Sequence, residues 1–402
     1  MKRAPRILTG IGITLVGAAL FFFFALAPIV DRILNRVTGD PLPPVPQDLL
    51  AFHQSLVVAD LHADQLLWPR DLLNRASHGH VDLPRLVSGN VALQVFSVVS
   101  KTPRGLNYER NSDETDNVTL LGAAQRWPIP AWRSLRARAL YQAEKLRDAE
   151  RRSDGALRVI RSRDDVVHVL RERAGGKMVV GALLAAEGLQ ILEGNLANVD
   201  TLYDAGYRML GLTHFFDNQV AGSAHGVTKG GLTALGRNVI RRMEALSIFV
   251  DVAHASPQTI DDVLAMATRP VVVSHTGVRA TCPGTRNLSD DQLRRIARTG
   301  GVVGIGFWAA AVCDIAPTSI ARAIMHAVSV AGIDHVALGS DFDGSTVTRF
   351  DASGLAHVTQ ALRAGGMADS DIGKVMGGNV ARLFSNSLPT HYDRDPLTRT
   401  QW

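Results

Sequence analysis

The feature that most constrains this 402-residue chain is a series of eight short runs of valine, isoleucine and leucine, six of which finish at a histidine or an acid. The runs are LVVAD (56–60), VALQVFSVV (91–99), MVVGALLAA (178–186), RMLGLT (208–213), IFVDVA (248–253), PVVVS (270–274), GVVGIGF (301–307) and HVALGS (335–340). Nearly unbroken apolar runs of this kind are what parallel strands look like when a sheet is covered on both faces. Amphipathic stretches such as 257–267 and 289–299 alternate with them, and Ser256-Pro257 and Ser289 with Asp290 and Asp291 supply helix starts. Strand-then-helix units repeated in this order predict an α/β fold, a closed (β/α)8 barrel of the TIM type, over an open doubly wound sheet. Residues 101–176 break the series as an insertion, and AWRSLRARALYQAEKLRDAERR at its heart reads as a helix outside the barrel.

The residues at the run ends carry the chemistry. The first run ends in Asp60-Leu61-His62-Ala63-Asp64, the third in Glu187, the fourth in His214, the fifth in His254, the sixth in His275 and the eighth in Asp341. These are carboxyl ends of strands, where active sites of such barrels lie. Residues two apart in a strand share a face, so Asp60, His62 and Asp64 all point to the barrel axis. Burying two carboxylates beside an imidazole costs several kcal/mol unless they pair or bind a metal. Imidazole and carboxylate donors suit zinc, and the histidines with Asp64 and Glu187 hold two ions if Glu187 bridges them. Asp60, deepest of the three, is expected to orient a liganding histidine instead of touching metal. His78 and His80 end no apolar run and are read as structural, Asp343 as a loop residue or one that supports a ligand from behind. Gly301, Gly304 and Gly306 lie inside a strand with no phosphate-binding turn.

Hydrophobic residues make up 46% of the chain and charged ones 20%, which supplies a large core and excludes wholesale disorder. The net charge of +5 is scattered among acids, so nucleic acid is not an expected partner. Residues 7–30 carry no charge, long enough to span a bilayer, and Lys2, Arg3 and Arg6 before them place the N-terminus in the cytoplasm. Ala25-Leu26-Ala27 resembles a signal-cleavage site, but Pro28 directly after it favours a retained anchor over a secreted, cleaved product. The expected organisation is a cytoplasmic N-terminus and anchor over 1–36, a stiff proline-rich linker over 37–50, a barrel domain over 51–385 and a flexible tail over 386–402.

Taken together, DLHAD (60–64), HVDLPRL (80–86), AEGLQIL (186–192), LTHFFDNQVAGSAHG (212–226), VDVAHAS (250–256), VVVSHTGVRATCPGTRNLSDDQL (271–293) and LGSDFDGS (338–345) resemble the membrane (renal-type) dipeptidases over roughly residues 55–385. The resemblance implies a metallo-dependent hydrolase-like barrel cleaving dipeptides or similar small peptide-like substrates. It implies two Zn2+ ions, one on His62 and Asp64, the other on His254 and His275, bridged by Glu187 and a water or hydroxide. It further implies that His214 sits over the substrate carbonyl, Arg286 holds the substrate's C-terminal carboxylate and Asp341 handles the proton. Some members pair two cysteines in the loops where Cys282 and Cys313 fall, and Phe307-Trp308 stands where mammalian members have a tyrosine-containing pair. The expected location is the inner membrane with the catalytic body on the periplasmic side, and a homodimer is the oligomer considered. The rival readings are the same metal centre acting on a lactone, a β-lactam or a modified non-ribosomal peptide, and a metal-free binding scaffold.

Overall fold

The computed structural model describes residues 13–391. The positive residues that set the anchor's expected orientation, Lys2, Arg3 and Arg6, lie outside them, as do tail residues 392–402. Eight parallel strands close on themselves: Val58–Ala63, Val91–Phe96, Val180–Glu187, Tyr207–Gly211, Phe249–Asp251, Val271–Thr276, Val302–Ile305 and Val336–Leu338. Closure is made by Val91–Phe96, which pairs with the first strand on one edge and with the third on the other. Around one level the register runs Leu338, Asp60, Gln94, Ala182. All strand residues in this ring are buried, as covered parallel strands require. The (β/α)8 barrel read from the eight runs is therefore the fold.

Helix starts behave as their sequences dictate. Ser256 caps Pro257–Met266 through the Thr259 N–H, and Ser289 with Gln292 forms a reciprocal capping box at Asp290–Arg298.

The structure corrects three expectations. The 101–176 insertion is not only helical: Leu157–Ile160 forms a ninth strand on the lower half of Val180–Glu187, whose upper half pairs with Tyr207–Gly211. The stiff linker expected over 37–50 is tied to the barrel at both ends. Arg36–Val37 pairs in parallel with Val347–Thr348, Leu42 packs on the core, and helix Gln47–Ser55 begins inside it. The tail is held as far as described: helix Asn379–Ser387 runs past 385, Leu388 is buried, the Arg163 N–H donates to the Pro389 carbonyl, and His391 pairs with Asp164.

Ile13–Leu34 is one continuous helix, 22 residues long, and the one helix among the described residues long and apolar enough to cross a membrane. Leu15, Val16, Leu20, Phe21 and Phe24 are exposed, so this is not a core helix. Its last turns dock on the barrel. Val30 joins Leu67, Trp68, Val118 and Trp127. Asp31, fully buried, accepts from Arg70 Nε at 2.8 Å, and Arg70 Nη2 reaches Asp343 at 2.8 Å. Asn35 donates to Asp31 at 2.8 Å and accepts from the Ser345 N–H at 2.9 Å. The helix end is thereby joined to the loop that follows the last barrel strand.

Candidate active site

The strand ends bring His62, Asp64, Glu187, His214, His254, His275 and Asp341 to one mouth of the barrel, all with little or no solvent exposure. Glu187 is at the centre. Its Oε1 lies 3.3 Å from His62 Nε2, 3.3 Å from His275 Nε2 and 3.5 Å from His254 Nε2, and its Oε2 lies 3.0 Å from His214 Nε2. His62 Nε2 is 3.4 Å from Asp64 Oδ1 and 3.9 Å from Asp341 Oδ1, and the facing Nε2 atoms of His254 and His275 are 3.0 Å apart. His254 and Asp341 both hold left-handed backbone, φ 60° each, a conformation costly for residues with a Cβ and concentrated at functional sites. Gly344 is required beside them, because a Cβ there would lie 2.1 Å from Asp341 Oδ1.

These donors fit metal ions. Atoms held about 2.0–2.1 Å from a tetrahedral zinc lie about 3.3 Å from one another, close to the spacings around Glu187. Three overlapping groups, His62 with Glu187 and His275, Glu187 with His214 and His254, and His62 with Asp64 and Asp341, each bring their ligand atoms within 4.8 Å. His62 Nε2, Asp64 Oδ1 and Glu187 Oε1 are buried with no hydrogen-bond partner, which apolar surroundings penalise unless a cation completes them.

Electrostatics agree. Burial opposes charge on His62, but Glu187, Asp64 and Asp341 outweigh it and lift the imidazole to about 10. Burial holds His254 and His275 well below the usual histidine range, with Arg286 adding to the effect, and drops His214 to about 3. Asp341 is pushed up to about 8, by burial first and by Asp64 and Asp60 next, against His62 and Arg286. Ligation needs neutral imidazole and ionised carboxylate. Adding Zn2+ to metal-free protein at pH 8 is therefore expected to release at least one proton, because His62 is protonated there and must lose its proton. Titration calorimetry in two buffers of different ionisation enthalpy measures it; identical heats would contradict the assignment of His62.

Arg286 enters the same cavity, of about 230 Å3, together with Asp64, Glu187, His214, His254 and Asp341. Its Nη2 donates to the His275 carbonyl at 2.6 Å, its Nε has no partner, and it lies 5.7 Å from the Trp308 ring.

Three features escaped the sequence. Ser274 Oγ lies 3.2 Å from His62 Nδ1 and 2.9 Å from His275 Nδ1, so one hydroxyl orients two imidazoles. Asp60, expected to orient a histidine, does not: its carboxylate accepts from the Ser340 N–H and hydroxyl and from Gln94, locking adjacent strands. The insertion, whose central helix is expected outside the barrel, also sends Thr102, Leu106 and Tyr108 from its first residues into the cavity wall. Tyr108 Oη accepts from Trp308 Nε1 at 3.0 Å, and its carbonyl lies 2.8 Å from His225 Nδ1. A tyrosine thus reaches Trp308 from a distant part of the chain, which no local signal announces. His80 is structural as read: its Nδ1 accepts from the Asp343 N–H, and Asp343 binds Arg70 instead of a metal-type ligand. Cys282 and Cys313 form a disulfide with Cα atoms 5.3 Å apart.

A parallel barrel with buried imidazoles and carboxylates converging at its carboxyl end has the makings of a metal-dependent enzyme, and hydrolases are prominent among those. Residues 47–390 match the sequence pattern of Membrane dipeptidase (Peptidase family M19), and the chain belongs to that family of metallo-dipeptidases. Dipeptidase tcpJ of Claviceps purpurea is 29% identical over 76% of this chain and 69% of its own. The crystal structure of dipeptidase AC, a metallopeptidase, superposes with a TM-score of 0.70 at 26% identity, covering 83% of this chain and 99% of the other. A metallopeptidase from Rhodobacter sphaeroides, crystallised with a phosphinate mimic of L-Ala-D-Ala, gives a TM-score of 0.68 at 25% identity over the same shares.

Proposed function

We propose that this chain is a two-zinc dipeptidase, anchored by its N-terminal helix to the outer face of a bacterial-type inner membrane, that cleaves dipeptides with a free C-terminus, including those with a D-residue second. The observation that carries the reading is the cluster around Glu187 facing one cavity with Arg286. His62 and Asp64 would hold one ion, His254 and His275 the other, with Glu187 between them. The pair supplies Lewis acidity and water acidic enough to attack at neutral pH. Asp341, at the edge of the cluster, accepts the proton of the attacking water and returns it to the leaving amine, the neighbouring cations favouring its ionised form. His214 stays neutral and donates to the oxygen of the scissile carbonyl as charge develops on it. Arg286 grips the C-terminal carboxylate, restricting substrates to very short peptides. The Rhodobacter relative's ligand supports the stereochemical part of the proposal.

Metal analysis and a dipeptide library including L,D isomers test it. Amidating the substrate's C-terminus removes the charge Arg286 binds. A charged hydrogen bond is worth about 1.5–3 kcal/mol, so kcat/KM is expected to fall roughly 10- to 150-fold, and Arg286→Ala to erase the difference between free and amidated substrates. Equal turnover of both by the unaltered enzyme would favour the lactone or β-lactam reading.

A further inference from the structure

In the insertion's helical hairpin, Asn117–Ala124 with Ile129–Arg133, the first helix packs against Phe21–Leu26 of the apolar N-terminal helix, and Val30 of that helix packs on the cluster that both hairpin helices share. The Arg126 guanidinium lies 4.7 Å from the Phe24 ring, and Val30 contacts the cluster of Val118, Trp127 and Ala131. Depth then follows from length. About 20 helical residues cross the roughly 30 Å hydrocarbon layer. The charge-free run ends at Val30, before Asp31, so the outer boundary of the hydrocarbon layer falls within the last turns of this helix. Whatever packs on residues 21–30 therefore sits at that boundary.

The hairpin has the surface for it. Leu120 is 53% exposed, Ile129 65% and Trp132 37%, an apolar set that no described element covers. The hairpin itself, 117–133, carries no acid, whereas Arg126 and Arg133 on it are exposed; Arg138 beyond it is buried against Asp116. Exposed Trp and Leu or Ile beside arginines, with no acids, is the composition of segments that lie in the headgroup layer. Exposed cations beside the apolar residues, with no acid on the hairpin itself, favour anionic lipid over a second copy of this chain as occupant.

We propose that the hairpin 117–133 is sunk in the outer headgroup layer of the bilayer that the N-terminal helix spans, a second lipid contact that fixes the tilt of the body. This rests on the anchor proposed above. Because Trp127 and Ala131 share a cluster with Leu67 and Val99, and these two also wall the catalytic cavity, the barrel mouth is held close to the lipid surface.

The test uses the full chain, carrying Trp402→Phe, in liposomes containing phosphatidylglycerol and lipids brominated near the headgroup. Trp68, Trp127 and Trp308 are buried, which leaves Trp132 as the indole open to the bilayer among the described residues. Bromine-dependent quenching is expected in the parent and is expected to drop by more than half in W132F. L120E with I129E is expected to lower it similarly while the protein still floats with the liposomes. Equal quenching in W132F and its parent would overturn the proposal. So would a Trp132 shielded from both bromolipid and aqueous acrylamide, the result for a protein-covered face. A chain that fails to float with the liposomes would sink the anchor reading itself.

Discussion

Asp341→Asn is expected to lower kcat by about 10^2- to 10^4-fold, the usual contribution of a positioned acid-base group, while metal content stays unchanged. Asparagine keeps the shape and the left-handed backbone at φ 60°, so the loop should hold. What it removes is the carboxylate that takes and returns the proton. Single-turnover kinetics beside metal analysis separates the outcomes. Loss of metal along with turnover would make Asp341 a ligand, a role its 3.9 Å approach to His62 permits geometrically. Undiminished turnover would remove it from the mechanism.

Arg70→Ala is expected to destabilise the protein by about 3–5 kcal/mol, the range for breaking a buried ion pair. The guanidinium neutralises Asp31 and Asp343, both fully buried, and its own pKa is raised by them against the effect of burial. Removing it strands two carboxylates. Denaturant titration in detergent micelles reads the loss, and adding Asp31→Asn and Asp343→Asn to the same chain should restore part of it, because the uncompensated charges are then gone. A change under 1 kcal/mol would mean that solvent reaches the network.

The barrel and its metal-type cluster were legible because both are written locally. A valine-rich strand announces itself within a few residues, and the ligand follows at the strand's carboxyl end, as in Val180–Glu187 with Glu187. Ser274, Tyr108 and the Asp31–Arg70–Asp343 network were not legible, for one physical reason. Each acts through a partner distant in sequence: Ser274 on His62, Tyr108 on Trp308, Asp31 on Arg70. A serine before a histidine or an aspartate near the end of an apolar helix carries no sign of what it will meet. Asp60 shows the converse error. Its depth was read correctly, but its partner, Ser340, is set by the pairing of Leu338 with Asp60, which only strand register decides.

The pairing of Arg36–Val37 with Val347–Thr348 joins early and late parts of the chain, and Asn35 meets the Ser345 N–H across 310 residues. At about 5–20 residues per second of synthesis, the stretch beside the anchor waits roughly 15–60 s for its neighbour to leave the ribosome. During that interval the seat of Asp31 is unfinished, because Asp343 has not yet been made. Assembly of the catalytic rim is thus among the last events in the birth of the molecule, and holding chaperones would have most to do at its amino end.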